Sequence, residues 1–226
     1  FFTAPPYRGC DDAAAESLLA GQRATNRAFD RWMSRNVSAH RVPGYAIVTL
    51  SLKPTGIAPG DATERQMELV ANLADSYSFG EIRVTHEQNL VLADVEKEKL
   101  FALWEAARDA GLATPNIGML TDIICCPGGD FCSLANAKSI PVAEAIQRRF
   151  DDLDYLHDLG DIHLNISGCM NACGHHHVGQ IGILGVDKKG EEFYQVSLGG
   201  DSGTEAALGT ILGPSFAQDA IPGVVA

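Results

Sequence analysis

Four cysteines in two short loops carry the strongest chemical signal in this sequence. Cys126 and Cys132 enclose five residues, Pro-Gly-Gly-Asp-Phe, and Cys169 and Cys173 enclose three, Met-Asn-Ala. Four thiolates brought from two turns are the ligand set of an iron–sulfur cluster or of a tetrahedral zinc. Structural zinc loops usually hold roughly two to four intervening residues, so the wider first loop speaks for a cluster. Gly128, Gly129, Gly168 and Gly174 flank the thiols. Without a Cβ they let the backbone approach closely and turn its N–H groups toward an anionic centre. A third alternative, reduced cysteines that hold nothing, stays open at this point. Cys125 is different, because a residue adjacent to Cys126 points elsewhere on any regular backbone, and it reads as a small buried hydrophobe. Cys10, far upstream, reads as an incidental free thiol.

Directly after Cys173 and Gly174 comes the run His175-His176-His177. Three consecutive side chains cannot all face one ion, so packing or carboxylate pairing, proton delivery and metal ligation are the alternatives. Lys188 and Lys189 read as solvated, with partner docking as their other role. The chain has 226 residues, 46% of them apolar, enough for a sizeable core. Its net charge of −12 argues against nucleic acid or an acidic membrane as partner, since both need a basic patch. No stretch approaches the roughly 20 uninterrupted apolar residues of a spanning helix. The opening residues Phe1 to Pro6 lack the regions of a signal peptide. Clustered thiols without such a signal suit metal or redox chemistry better than a disulfide framework. The expectation is a cytoplasmic protein, and the missing initial Met suggests a fragment or a processed product.

Elements that could position these loops follow from hydrophobic periodicity. Residues 13–36 read as helical, with Gly21 suggesting a break into two helices, and residues 1–40 as a linker or packing arm. Residues 45–52 (YAIVTLSL) read as a buried strand, 62–78 as a helix with Asp61 as its N-cap, and Gly80 as its stop. Residues 82–85 and 90–95 read as two short strands, and 96–110 as a helix stopped by Gly111. This order predicts an α+β unit, with helices on one face of a mostly antiparallel sheet. A second unit starts after Thr114 and Pro115. It contains the first cysteine loop, a helix over 141–153, a strand over 162–166 leading into the second loop, and a hairpin of 178–186 with 193–198. The expected division is therefore 1–40, 41–112 and 113–226. No pattern determines the Gly-rich residues 199–226.

With Cys126 to Cys132 and Ser167-Gly168-Cys169 to Cys173 as its two cysteine loops, the sequence resembles the nitrite/sulfite reductase hemoprotein family. The segment Arg83-Val84-Thr85-His86-Glu87-Gln88-Asn89 is similar to that family's Arg-x-Thr-x-x-Gln-Asn segment. The resemblance covers roughly residues 41–200. It implies a ferredoxin-like half-domain followed by an iron–sulfur and siroheme domain. It implies Cys126, Cys132, Cys169 and Cys173 as ligands of a [4Fe-4S] cluster, with the Cys173 thiolate shared with the siroheme iron. Arg83, Thr85, Gln88 and Asn89 are assigned to siroheme by the same resemblance, and Asn171 either bonds the cofactor or shapes its turn. Gln180 stands where the family usually has an acidic residue, so the resemblance assigns no carboxylate role there.

The activity implied is reduction of sulfite to sulfide or of nitrite to ammonia, with electrons from a flavoprotein or a ferredoxin. The family's substrate-binding basic residues and its other pseudo-symmetric half lie mainly upstream of the resembling region. The expectation is that this chain carries the cluster half and is inactive alone. The competing class is a non-catalytic iron–sulfur or zinc module for electron transfer or interaction.

Overall fold

A run such as 45–50, apolar but for Thr49, is stable as a strand where its apolar face is covered. In the computed structural model, which describes residues 3–9 and 11–226, that condition is met inside one of two units. The first unit comprises the residues up to Leu52 together with Ala62–Ile117, and the second comprises Lys53–Asp61 with Gly118–Ala226.

In the first unit, helices α1 (Asp12–Thr25) and α2 (Arg27–Asn36) precede strands β1 (Val37–Ala39) and β2 (Tyr45–Leu50). Helix α3 (Glu64–Tyr77), strands β3 (Arg83–Val84) and β4 (Leu90–Glu96), and helix α4 (Leu100–Asp109) follow. The sheet order is β1-β2-β4-β3, with every neighbour antiparallel. Val48, Leu50, Leu92 and Val95 of the sheet pack with Val70 and Leu73 of α3, Leu103 and Trp104 of α4, and Phe29 and Trp32 of α2. Each such side chain contributes about 1.5–3 kcal/mol of burial. The residues before α1 pack here too: the Tyr7 hydroxyl donates to Asp94 Oδ1 at 2.7 Å.

Several helix bounds differ from the expectation: α4 starts at Leu100, after a short 3-10 turn over Lys97–Lys99, and the helix expected over 141–153 ends at Arg149 in the second unit. The break in the first helical stretch falls at Asn26, whose side chain accepts from Phe29 N–H and caps α2. Gly21 stays inside α1, in the open, where it meets nothing. Helix α3 is capped by Thr63 in a reciprocal capping box with Gln66, not by Asp61. Gly80, at φ 75°, donates to Ala74 O and ends that helix.

The second unit contains β5 (Ile124–Cys125), α5 (Ile140–Arg149), α6 (Leu153–Leu159), β6 (Leu164–Ser167), β7 (Ile181–Lys188), β8 (Glu191–Leu198), β9 (Thr210–Ile211) and α7 (Ile221–Val225). Its sheet runs β5-β6-β7-β8-β9. β5, β6 and β7 are parallel, while β8 and β9 are antiparallel to their neighbours. Met119, Ile123, Val142, Ile146, Leu164, Ile166, Ile183, Tyr194 and Val196 form its core. The hairpin turn is tighter than expected. Lys188 pairs with Glu191, leaving Lys189 (φ 60°) and Gly190 (φ 87°) as a two-residue turn whose positive φ angles match the strand twist.

Candidate functional site

Parallel neighbours end on the same edge of a sheet, and the loops leaving that edge must therefore lie together. β5 and β6 are such neighbours, with Ile124 opposite Asn165 and Cys125 opposite Ile166. Cys126 leaves the end of β5 and donates its N–H to Ile166 O at 3.1 Å. Ser167, Gly168 and Cys169 leave the end of β6.

Backbone bonds then join the two loops. Gly168 N–H donates to the Cys126 Sγ at 3.0 Å, and Gly168 O accepts from Asn136 N–H at 2.9 Å and Ala137 N–H at 3.0 Å. The Ser139 hydroxyl lies 3.5 Å from the same sulfur. Glycine is required at the junction: a Cβ on Gly168 would lie 2.7 Å from Ala137 O and 2.8 Å from the Gly128 Cα. The return arm of the first loop is fixed from the sheet, since the buried Tyr194 hydroxyl donates to Lys138 O at 2.8 Å. Burial and the neighbouring Glu192 carboxylate raise that hydroxyl's pKa and keep it a donor.

The second loop folds back on its own strand. Gly174 N–H donates to Ser167 Oγ at 3.1 Å, and Asn165 Nδ2 donates to His175 O at the same distance. Ala172 (φ 57°) and His175 (φ 53°) adopt left-handed backbone conformations, each costing of order 1 kcal/mol and held by these bonds. Cys169 is buried, Cys126 and Cys132 are half-buried, and Cys173 is exposed. Asn171 is exposed at the loop tip.

These features fit a thiolate-ligated cluster: two adjoining loops, an N–H already directed at a sulfur, and glycines where any Cβ would obstruct. Among the described residues, no three His, Cys, Asp or Glu side chains gather closely enough to hold a single metal ion. A cluster core is wider than one ion and takes its thiolates from farther apart. Cys125 points into the core, as expected of a small hydrophobe, and burial pushes its thiol pKa well up. Cys10 lies outside the described residues.

The Arg83 segment lies in the first unit, as the β3–β4 hairpin. Arg83 is exposed and its Nε donates to Glu81 Oε1 at 2.5 Å. Thr85 N–H donates to Asn89 O at 3.0 Å, and Gln88 sits in the turn at φ 60°. Asn89 is buried and its Oδ1 accepts from Leu52 N–H at 3.2 Å. Arg83, Thr85, Gln88 and Asn89 are thus gathered in one turn, and the four cysteines in another unit's pair of loops.

The His175–His177 run does not converge. His176 is buried and stacks on His177 at 4.1 Å, and its Nδ1 has no hydrogen-bond partner among the described residues. Burial, with His177 adding to it, depresses the His176 pKa to about 4. Gln180 Oε1 accepts from His163 N–H at 2.7 Å. Lys188 lies over the Phe193 ring at 5.1 Å. Two groups escaped the sequence reading: Ser139, beside a cysteine sulfur, and a buried pair of Lys53 with Asp122. A serine just before Pro141 could have been read as a helix start, whereas nothing in the sequence marks Lys53 as buried.

Residues 43–110 match the family described as the nitrite/sulfite reductase ferredoxin-like half domain, and residues 118–225 the nitrite and sulphite reductase 4Fe-4S domain. The chloroplastic ferredoxin–nitrite reductase of Betula pendula is 30% identical over 91% of this chain and 34% of its own length. An assimilatory-type sulfite reductase of Nitratidesulfovibrio vulgaris is 27% identical over 80% of this chain and 77% of its own length. The solved structure of the Mycobacterium tuberculosis NirA protein superposes with a TM-score of 0.68 at 26% identity, covering 84% of this chain and 36% of that one. The chain thus spans about a third of the length of the Betula reductase and of NirA. No helix among the described residues is long and apolar enough to cross a membrane. From its two matched domains, its α+β architecture and its relatives, this chain belongs to the nitrite/sulfite reductase hemoprotein family.

Proposed function

We propose that this chain is the cluster-bearing part of a cytoplasmic enzyme that reduces sulfite to sulfide or nitrite to ammonia. The observation that carries the reading is the joining of the two cysteine loops through Gly168, which donates to one thiol loop while leading the other. Cys126, Cys132, Cys169 and Cys173 would hold a [4Fe-4S] cluster, and Cys173, the exposed thiol of the four, would also serve the siroheme. When bound, the cluster would supply electrons singly and the siroheme the iron chemistry that reduces the oxyanion.

The protein's own part is to hold and orient. Gly168 N–H stabilises thiolate charge at Cys126, and the tight second loop fixes Cys173 at its exposed end. Met170 and Phe131, 83% and 81% exposed, offer apolar surface within the two loops that suits a macrocycle. By the family resemblance, Arg83, Thr85, Gln88 and Asn89, with Asn171, would supply donors to siroheme carboxylates. Functionally the chain divides into an arm (1–40), a ferredoxin-like half-domain (41–112) and the cluster domain (113–226). Ferredoxin, part of the names of the related nitrite reductases, is the proposed electron donor, with a flavoprotein as the alternative.

In this reading the rest of the active-site cavity comes from sequence outside this chain, so the chain binds the cluster but does not turn over alone. A second reading, that a chain of this size is sufficient, is favoured by the Nitratidesulfovibrio sulfite reductase, which this chain covers over 77% of its length. Anaerobic reconstitution with iron, sulfide and siroheme, followed by assays of sulfite and nitrite reduction, separates them. Cofactor uptake without turnover is the expected result, sustained turnover establishes the second reading, and zinc without iron overturns both.

A further inference from the structure

A buried hydroxyl needs a hydrogen-bond partner, and the one that Ser139 has is a cysteine sulfur. Ser139 is fully buried, and among the described residues its hydroxyl meets only Cys126 Sγ, at 3.5 Å. The residue stands at the N-cap of α5, where a serine oxygen ordinarily accepts from an N–H of the first turn. It makes no such bond. Its backbone, at φ −106° and ψ −41°, has left the extended conformation usual for a capping serine, and the hydroxyl turns to the first cysteine loop instead.

Two glycines leave the hydroxyl its place. A Cβ on Gly128 would lie 2.7 Å from Ser139 Oγ, and one on Gly168 3.0 Å from it. The oxygen is therefore wedged between the two cysteine loops. Gly168 N–H donates to the same sulfur at 3.0 Å, so Cys126 Sγ has two polar neighbours, one from the backbone and one from a side chain. The direction of the Ser139 contact depends on the state of the sulfur. A thiol could donate to the hydroxyl, but a thiolate ligand has no proton to give, and the hydroxyl is then the donor.

We propose that Ser139 is a positioning residue for the Cys126 thiolate, whose hydroxyl donates to that sulfur and raises the reduction potential of the cluster that the four cysteines would hold. The inference rests on the cluster reading above. The step concerned is the one-electron reduction of a [4Fe-4S] core from the 2+ to the 1+ state by an external donor. No bond forms or breaks in it, and the proton stays on the Ser139 oxygen. Part of the added negative charge falls on the thiolates, and a hydrogen bond to a thiolate strengthens as that charge grows, so the reduced state gains more from the bond. Because the charge is spread over the core and four thiolates, losing one such bond shifts the equilibrium by about two- to tenfold.

The test is an EPR-monitored redox titration of the anaerobically reconstituted full chain, with dithionite as electron donor. Ser139→Ala deletes the hydroxyl and keeps the Cβ, and its midpoint is expected about 18–59 mV below the wild type, the one-electron equivalents of two- and tenfold. Ser139→Thr retains a hydroxyl and is expected to restore the midpoint. If Ser139→Ala assembles no core, Ser139→Cys, a weaker donor of similar shape, carries the test and should also titrate below the wild type. A midpoint unchanged or raised in the variant titrated overturns the inference, as does an equal fall in Ser139→Thr. A merely structural role would lower the iron content and leave the potential in place. A wild-type chain that assembles no iron–sulfide core overturns the cluster reading itself, a result distinct from a cluster whose potential ignores Ser139.

Discussion

Adding one methyl group at Gly168 tests how the two cysteine loops are joined. The Cβ of Gly168→Ala would sit 2.7 Å from Ala137 O, 2.8 Å from the Gly128 Cα and 3.0 Å from Ser139 Oγ. Two of these are backbone atoms of the opposite loop, so the loops must separate. Overpacking of this kind costs about 1–3 kcal/mol. Separation also weakens the bonds from Gly168 to Cys126, Asn136 and Ala137, each worth about 1 kcal/mol net. The summed expectation is a loss of about 2–4 kcal/mol, read by urea denaturation under reducing, anaerobic conditions, together with a fall in bound iron and sulfide. Gly21→Ala is the control: Gly21 lies inside α1 with nothing within 4 Å, and the change should stabilise by roughly 0.5–1 kcal/mol. A Gly168→Ala protein as stable as the wild type, with undiminished iron, would refute the account of the junction.

Other substitutions address single residues. Cys126→Ala should abolish iron binding, whereas Cys125→Ala should keep it and cost only the packing of one small buried side chain; equal iron loss in both, by elemental analysis, would contradict that division. His176 has its pKa lowered from 6.5 to about 4 by burial and by His177, so the fold holds the neutral ring. Its contribution to stability is complete above about pH 6.5 and is lost as pH falls toward 4, because the unfolded chain binds the proton first. Urea titrations between those values should show a steeper decline for the wild type than for His176→Phe, and parallel curves would refute the reasoning. Thr63→Ala removes the capping box of α3 and should cost about 1 kcal/mol in thermal melting, while Asp61→Ala should cost much less.

The cysteine loops were legible because their function demands particular residues at particular spacings. Their adjacency was less so. β5 has only two residues, and its parallel partner β6 lies some forty positions later, too far and too short for any local pattern to announce. Strongly periodic stretches gave β2, α3, β4 and α4 nearly as they stand, but their caps turned on competing polar residues. Asp61 and Thr63 both precede α3 and each has a Glu or Gln three positions on, Glu64 and Gln66, so the sequence offers two equivalent starts and the helix takes that of Thr63. Gly21 was a poor guide to a helix break because an exposed glycine costs a helix little, whereas Asn26 provides the side-chain acceptor that starts α2. β9 and α7 lie in the Gly-rich end, where β9 is secured by cross-strand bonding to β8 and α7 by the buried Ile221, and neither shows as periodicity.

Metal and sulfide content measured together on the anaerobically prepared chain tests the central claim most directly. The account expects iron and acid-labile sulfide in equal amounts, about four of each per chain, with an EPR signal on one-electron reduction that disappears in Cys126→Ala. Zinc in place of iron, or a metal-free chain after full anaerobic reconstitution, would contradict it.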